Sequence, residues 1–109
     1  MYGTEHRYAP RRIRILHVDD DRAFLDVTES FLTRELPSAE IATVQHPDAA
    51  IERLRGESFD CVISDYEMPD TDGLELLSQV RDWSDDLPFL LYTGKGSESI
   101  ASRAINAGG

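Results

Sequence analysis

The sequence has one cysteine and one lysine among 109 residues, and it lacks any long apolar run. A membrane-spanning helix needs roughly eighteen or more apolar residues, and the start "MYGTEHRYAPRRIRI" also lacks the apolar stretch of a secretory signal. Cys61 can form no intramolecular disulfide, and its place in an apolar run favours a small buried hydrophobe over a reactive thiol. These absences predict a soluble, cytoplasmic chain with no membrane partner.

Positive charge is also scarce, because 21 Asp and Glu residues face 11 Lys and Arg residues and leave a formal net charge of −10. Phosphate contacts need a basic patch, and only "RYAPRRIR" is locally basic, so the composition argues against direct nucleic-acid binding. Of the Lys and Arg residues, all are Arg except Lys95. Such a composition is typical of a protein kept soluble in concentrated salt, although an ordinary acidic protein explains it as well.

Four short apolar runs alternate with helical patterns along one domain-sized chain. The runs are rich in Ile, Val, Leu and Phe and predict strands at 13–18, 40–44, 60–64 and 88–92. Pro47 and Ser97 supply helix start signals, and Gly108 supplies a stop. Repeated strand–helix units with short loops predict an α/β fold, in which helices cover both faces of a parallel sheet.

The helical patterns also predict which side chains face the core. Apolar residues recur at helical spacing between the strands: Phe24, Leu25, Val27, Phe31, Leu32 and Leu36; Ala50, Ile51 and Leu54; Leu74, Leu77 and Val80; and Ile100, Ala101, Ala104 and Ile105.

Carboxylates follow two of the predicted strands. Asp65 comes directly after the third strand, and Asp19, Asp20 and Asp21 follow the first. In open parallel sheets, ligands bind beyond the carboxyl ends of the strands, so neighbouring strands would bring these acids into one crevice. Their mutual repulsion would be costly without a cation, and such a crevice suits Mg²⁺, which prefers oxygen ligands.

Helix capping is the alternative role for these acids, since Asp is a favoured N-cap. We assign that role to Asp21, Asp70 and Asp72. It does not suit Asp65, because the loop that contains Met68 separates Asp65 from the next helix.

Other phosphate-binding and metal-binding motifs are incomplete in this sequence. "TGKG" lacks the earlier glycine and the following Ser or Thr of a P-loop, and "MPDTDG" has Met68 at the first ligand position of a calcium loop. The histidines share no zinc-ligand spacing.

Three motifs, "ILHVDDD", "CVISDYEMPDTDGLELL" and "PFLLYTG", together resemble the receiver domain of two-component response regulators. The resemblance covers residues 13–109, with the motifs in the family's order and spacing. It implies a flavodoxin-like, doubly wound parallel sheet of strand order 2-1-3-4-5. It also implies a phosphorylation-dependent switch, not an ordinary enzyme, which takes a phosphoryl group from a sensor histidine kinase, catalyses its own phosphotransfer and dephosphorylation, and thereby changes a partner-binding surface.

The resemblance assigns a role to each matching residue. Asp65 is implied to be the phosphoacceptor and a metal ligand, and Asp19 and Asp20 the acidic pair that holds Mg²⁺. Glu67 would offer its backbone carbonyl to the metal. Thr93 would be the switch hydroxyl that bonds the phosphoryl group, although by itself it is equally a β-branched residue at a strand end.

The chain also departs from the family pattern. The family's fifth strand, with a lysine at its end, and its fifth helix have no counterpart before Gly109, and Lys95 stands in the wrong place to be that lysine. We therefore expect residues 1–11 to form a loose arm and residues 12–109 a C-terminally incomplete receiver domain. The fourth strand would then be an open apolar edge that a homodimer could cover.

Two functions remain open from the sequence. One is the phosphorylation switch, acting on a downstream effector domain or protein. The other is a flavodoxin-like binding module with an incidental acidic crevice, or a degenerate receiver that serves only as a scaffold. Retention of the acids and of Thr93 favours the switch.

Overall fold

A computed structural model describes residues 12–69 and 71–93 of the chain. Within these ranges strands and helices alternate, as the sequence predicts. The elements are β1 (Ile13–Val18), α1 (Arg22–Glu35), β2 (Ala39–Val44), α2 (Pro47–Gly56), β3 (Cys61–Asp65), α3 (Gly73–Arg81) and β4 (Phe89–Tyr92). The predicted arm at 1–11, the cap at Asp70 and the helix signals at Ser97 and Gly108 lie outside the described residues.

The described strands form one parallel sheet in the order β2-β1-β3-β4. This order confirms the predicted parallel sheet and agrees with the first four strands of the flavodoxin-like arrangement. The strand boundaries differ slightly from the prediction. Asp65 is the last residue of β3 and not the first residue beyond it, because the ladder to β4 continues through the pair Asp65–Tyr92.

The helix starts follow the predicted capping chemistry. The side chain of Asp21 accepts a hydrogen bond from the backbone N–H of Phe24 at 3.2 Å, and that of Asp72 accepts from the N–H of Glu75 at 2.8 Å. Pro47 is the first residue of α2, where a missing N–H costs nothing. Capping is thereby confirmed for both aspartates.

One face of the sheet carries the main hydrophobic core, which α2 and α3 cover. Its buried residues alternate along the strands and recur at helical spacing: Leu16, Val18, Ala50, Leu54, Val62, Leu76, Leu77, Val80, Phe89 and Leu91. The prediction for α3 was partly wrong, because Leu74 is exposed and Leu76 is buried in its place. Leu76, Leu77 and Val80 form the inward stripe, and Leu74 lies outside it.

The opposite face of the sheet carries α1. Phe24 of α1 lies against His17 of β1, with ring centroids 5.9 Å apart, and Leu25 is fully buried. Helices therefore cover both faces, as expected.

The apolar stripe predicted for α1 was too wide. Val27, Phe31 and Leu36 are exposed. The inward stripe instead comprises Phe24, Leu25, Thr28 and Leu32, which are buried or half-buried at helical spacing.

A network of charges ties the amino end of β1 to the end of α2. Arg14 bonds Glu40 at 3.0 Å and Glu57 at 2.7 Å, and Arg53 bonds Glu57 at 2.6 Å. The guanidinium groups of Arg14 and Arg53 also lie over the ring of Phe59, at 4.6 and 5.8 Å from its centroid. These contacts hold the connection from α2 to β3 at the edge opposite the acids.

The longest described helix, α1, has 14 residues. None of the helices in 12–69 and 71–93 combines the length and apolar character needed to cross a bilayer.

Candidate functional site

Three carboxylates meet at the carboxyl ends of β1 and β3. Asp19, Asp20 and Asp65 each place one carboxylate oxygen within 4.8 Å of the other two. Asp19 and Asp65 are 0% and 3% exposed, whereas Asp20 is exposed to solvent. The pairing of β1 with β3 brings these acids into one crevice, as the sequence predicts.

Backbone groups hold the two buried carboxylates in place. The N–H of Asp21 donates to Oδ1 of Asp19 at 2.8 Å, and the N–H of Glu67 donates to Oδ1 of Asp65 at 3.2 Å. The N–H of Asp19 donates to the carbonyl of Val44 at 3.1 Å, which ties the loop after β1 to the end of β2. Each of these bonds holds one carboxylate oxygen and so restricts the orientation of its side chain.

The loop after Asp65 passes very close to the first turn of α3. A Cβ placed on Gly73 would collide with the backbone carbonyl oxygen of Asp65 and with a methyl group of Leu91. The N–H of Gly73 donates to the carbonyl of Tyr66 at 2.7 Å. The glycine is required here by this close approach of two backbones.

A buried tyrosine bonds one of the acids and a buried histidine bonds that tyrosine, and neither contact was predicted from the sequence. The hydroxyl of Tyr92 donates to Oδ2 of Asp19, and Nε2 of His17 lies 2.8 Å from the same hydroxyl. In the sequence, His17 is one of three histidines without zinc-ligand spacing, and Tyr92 is the last residue of an apolar run. The available signal was alternation, since His17 precedes Asp19 by two residues and side chains two residues apart in extended chain lie on the same side.

Burial controls the protonation of both side chains. Desolvation lowers the pKa of His17 to about 4, against a smaller opposing effect of the Asp19 charge. Desolvation, followed by the hydrogen bond to Asp19, raises the pKa of Tyr92. At neutral pH the pair is therefore a neutral imidazole and a neutral phenol.

The other predicted site residues lie at the same edge of the sheet. Thr93 directly follows β4 and is half-buried, one residue beyond the partner of Asp65 in the ladder. Glu67 is exposed, and its described contact with the site is the N–H bond to Asp65. Lys95 lies outside the described residues.

The donor set suits a hard divalent cation. Three carboxylates offer oxygen ligands only, which is the chemistry that Mg²⁺ prefers. An Mg²⁺ site typically uses one or two carboxylates and leaves the remaining positions to water and phosphate oxygens. The exposure of Asp20 to solvent leaves room for such ligands.

Comparison with known proteins identifies the family of the chain. The family model of the response regulator receiver domain matches residues 15–109, which is most of the chain. The chain belongs to the response regulator receiver domain family. Receiver domains are signalling domains and not ordinary enzymes, which agrees with the expectation drawn from the three motifs.

Curated response regulators show the same relationship. The chain is 36% identical over 99 residues to the two-component response regulator ARR14 of Arabidopsis thaliana, covering 91% of this chain and 26% of that protein. It is 38% identical over 96 residues to the response regulator MprA of Mycolicibacterium vanbaalenii, covering 88% and 41%. The chain thus spans less than half the length of these relatives.

Solved structures confirm the fold. The response regulator TrrA of Thermotoga maritima, solved in complex with Mg(2+)-BeF, aligns with a TM-score of 0.73 at 29% identity, covering 87% of this chain and 80% of that chain. The structure of the histidine kinase ThkA in complex with TrrA aligns with a TM-score of 0.70 at 29% identity, covering 84% and 80%.

Proposed function

We propose that this receiver domain, expected to comprise residues 12–109, is a phosphorylation switch in which Asp65 accepts a phosphoryl group with the help of Mg²⁺. The observation that carries the proposal is the position of Asp65. It is buried at the end of β3, with Asp19 and Asp20 close enough to share one cation. The Mg(2+)-BeF complex of TrrA supports the same use of the site.

The residues of the chain perform the transfer as follows. A carboxylate oxygen of Asp65 attacks phosphorus, a P–O bond forms, and the P–N bond to the donor histidine breaks, which yields an acyl phosphate on Asp65. Asp19 and Asp20 would hold Mg²⁺, which when bound neutralises charge on the transferring group. The N–H of Glu67, bonded to Oδ1 of Asp65, orients the nucleophile.

Two further residues complete the proposed site. Thr93 follows the ladder partner of Asp65 and supplies a hydroxyl that can donate to a phosphoryl oxygen. Glu67 would offer its backbone carbonyl as a metal ligand, since the loop that begins at Asp65 brings its main chain to the crevice.

The proposed phosphodonor is a sensor histidine kinase. The complex of ThkA with TrrA supports this class of partner, because it pairs a histidine kinase with a response regulator similar to this chain. Phosphorylation would shift the population of two conformations and so change the affinity for an effector domain or protein.

The test is phosphorylation by acetyl phosphate and Mg²⁺, followed by intact-mass spectrometry and peptide mapping. We expect one phosphate adduct on Asp65 in the wild-type chain and none at that site in Asp65→Asn, which keeps the shape but loses the nucleophile.

Asp72→Asn is the matched control for this experiment. It makes the same chemical change in the same loop and retains an N-cap for α3, so the adduct should persist. A wild-type chain that stays unmodified, or an Asp65→Asn chain modified at residue 65, would refute the switch and favour a scaffold role.

A further inference from the structure

Three side chains form a buried chain of hydrogen bonds that ends at the candidate metal site. His17 on β1 and Tyr92 on β4 meet at 2.8 Å between Nε2 and the hydroxyl oxygen, and that hydroxyl contacts Oδ2 of Asp19. Since β3 lies between β1 and β4, the two long side chains extend over it to meet. His17 is fully buried, and Tyr92 is 5% exposed.

Donor and acceptor chemistry fixes the direction of this chain of bonds. The carboxylate of Asp19 can only accept, so the single hydroxyl proton of Tyr92 must be donated to it. The hydroxyl oxygen is then free to accept, and Nε2 of the neutral His17 imidazole must carry the proton that it donates. The remaining ring nitrogen, Nδ1, is buried without a hydrogen-bond partner among the described residues.

An unpaired buried nitrogen is unfavourable, so the ring of His17 is held by its other contacts. Phe24 lies edge-on to it at 5.9 Å between centroids, and Tyr92 lies at 5.8 Å. Phe24 and Tyr92 are 5.5 Å apart in turn. This three-ring cluster restricts the rotamers of His17 and Tyr92 and so fixes where the phenol proton points.

We propose that Tyr92, supported by His17, is a positioning residue that orients Asp19 for Mg²⁺ binding. The inference rests on the proposed function, because it concerns the metal on which phosphorylation of Asp65 depends. The N–H of Asp21 holds Oδ1 of Asp19, and Tyr92 holds Oδ2. With both oxygens bonded, the plane of the carboxylate is set, and one of its oxygens lies within 4.8 Å of the ligand oxygens of Asp20 and Asp65.

Without the phenol, Oδ2 of Asp19 would lose the hydrogen bond from Tyr92, while the bond from Asp21 to Oδ1 would remain. The terminal torsion of an aspartate is broad, so the carboxylate would sample orientations that bind the metal poorly. Loss of such a partner behind a metal ligand typically weakens metal binding about 10–100-fold. The backbone carbonyl of Tyr92 also accepts a hydrogen bond from the N–H of Tyr66, the residue after Asp65. Because Tyr92 directly precedes Thr93, it links the loop after β3 to the end of β4.

The decisive variant is Tyr92→Phe, which removes the hydroxyl and keeps the ring. Mg²⁺ binding would be followed by NMR titration of the whole 109-residue chain, and phosphorylation by acetyl phosphate across a range of Mg²⁺ concentrations. We expect about tenfold weaker Mg²⁺ binding in the variant, with the phosphorylation rate largely restored at saturating Mg²⁺. A merely structural tyrosine would lower the melting temperature without this separation of affinity from maximal rate.

Tyr66→Phe is the matched control, because it removes a phenol hydroxyl from the residue after Asp65. Within the described residues the Tyr66 hydroxyl bonds none of the three acids, so Mg²⁺ affinity should stay within about twofold of wild type.

A second pair of variants keeps the inference testable if Tyr92→Phe folds poorly. His17→Gln can place an amide N–H near the position of Nε2, whereas His17→Leu offers no donor. We expect His17→Gln to bind Mg²⁺ more tightly than His17→Leu. Nitrogen chemical shifts of His17 in the wild type should show the proton on Nε2.

The outcomes separate the two proposals. A wild-type chain that binds Mg²⁺ and is phosphorylated, with a Tyr92→Phe variant of equal or higher Mg²⁺ affinity, overturns the positioning role alone. Equal affinities for His17→Gln and His17→Leu overturn the supporting role of His17. A wild-type chain that neither binds Mg²⁺ nor accepts phosphate refutes the proposed function and this inference with it.

Discussion

Glu57 accepts hydrogen bonds from two arginines that belong to different elements, Arg53 on α2 and Arg14 on β1. These bonds, with that from Arg53 the larger influence, lower the pKa of Glu57 from 4.5 to about 2. A carboxylate with a depressed pKa stabilises the fold above its unfolded-state value, and this stabilisation is lost as the pH falls through the folded-state value. The relevant window for Glu57 is therefore pH 4.5 down to about 2.

We predict that Glu57→Gln lowers the free energy of unfolding at pH 7 and reduces its dependence on pH below 4.5. The variant and the wild type should approach equal stability only below about pH 2, once Glu57 is protonated in both states of the wild type. Urea unfolding at a series of pH values measures this difference. Glu52→Gln, an exposed change on the same helix, is the control, and an equal effect there would contradict the prediction.

Single residues show clearly what the sequence could and could not indicate about the site. Asp19, Asp20 and Asp65 were predictable because each follows an apolar run and parallel strands end at one edge. Their burial was not predictable, because hydrogen bonds from the loops determine which carboxylate points inward. The link from His17 to Tyr92 was also missed, because it joins side chains on strands that are not neighbours.

At the scale of elements, the junction between β3 and α3 leaves no room for a side chain at Gly73. We predict that Gly73→Ala destabilises the fold by about 1–3 kcal/mol, because the new Cβ must push against the Asp65 carbonyl and Leu91. The same shift should slow phosphorylation at Asp65.

Thermal unfolding and the acetyl phosphate assay measure the two effects of Gly73→Ala. Gly56→Ala is a fitting control, since a Cβ there meets no atom within 4 Å. Equal stability of the Gly73 and Gly56 variants would contradict the close approach seen at Gly73.

The elements also show why helix faces were harder to predict than helices. The existence of α1 follows from its cap and its helical apolar spacing, but the width of its buried stripe depends on what lies beneath it. Val27 is 67% exposed although it is apolar, because Leu25 and its neighbours along the helix occupy the side that faces the sheet. Sequence spacing cannot distinguish the row that contacts the sheet from the adjacent row.

At the scale of the whole molecule, a net charge of −10 opposes compaction. We predict that NaCl raises the melting temperature, because screening relieves this repulsion by more than it weakens the partly exposed ion pairs of Arg14 and Arg53, each worth about 0–1 kcal/mol. A gain of about 1 kcal/mol corresponds to a rise of about 4–8 °C for a domain of this size.

Calorimetry at increasing NaCl concentration tests the charge effect. A variant with Asp26→Lys and Glu52→Lys, two exposed positions on α1 and α2, has less net negative charge and should show a smaller rise. A melting temperature that falls with salt, or an identical slope in the variant, would show that net repulsion does not govern stability.

The parallel order of the sheet sets the sequence of events during synthesis. Among the described strands β1 is made first, yet its partner positions on β2 are 26 residues away, as Arg14 is from Glu40. Strand β3 lies farther on, since Asp60, the residue before it, is 46 residues from Arg14. At roughly 5–20 residues per second, a ribosome needs several seconds to deliver β3. Throughout that interval the apolar residues of β1 lack the strand that pairs with its second edge, so among the described strands β1 waits longest for its complete set of neighbours.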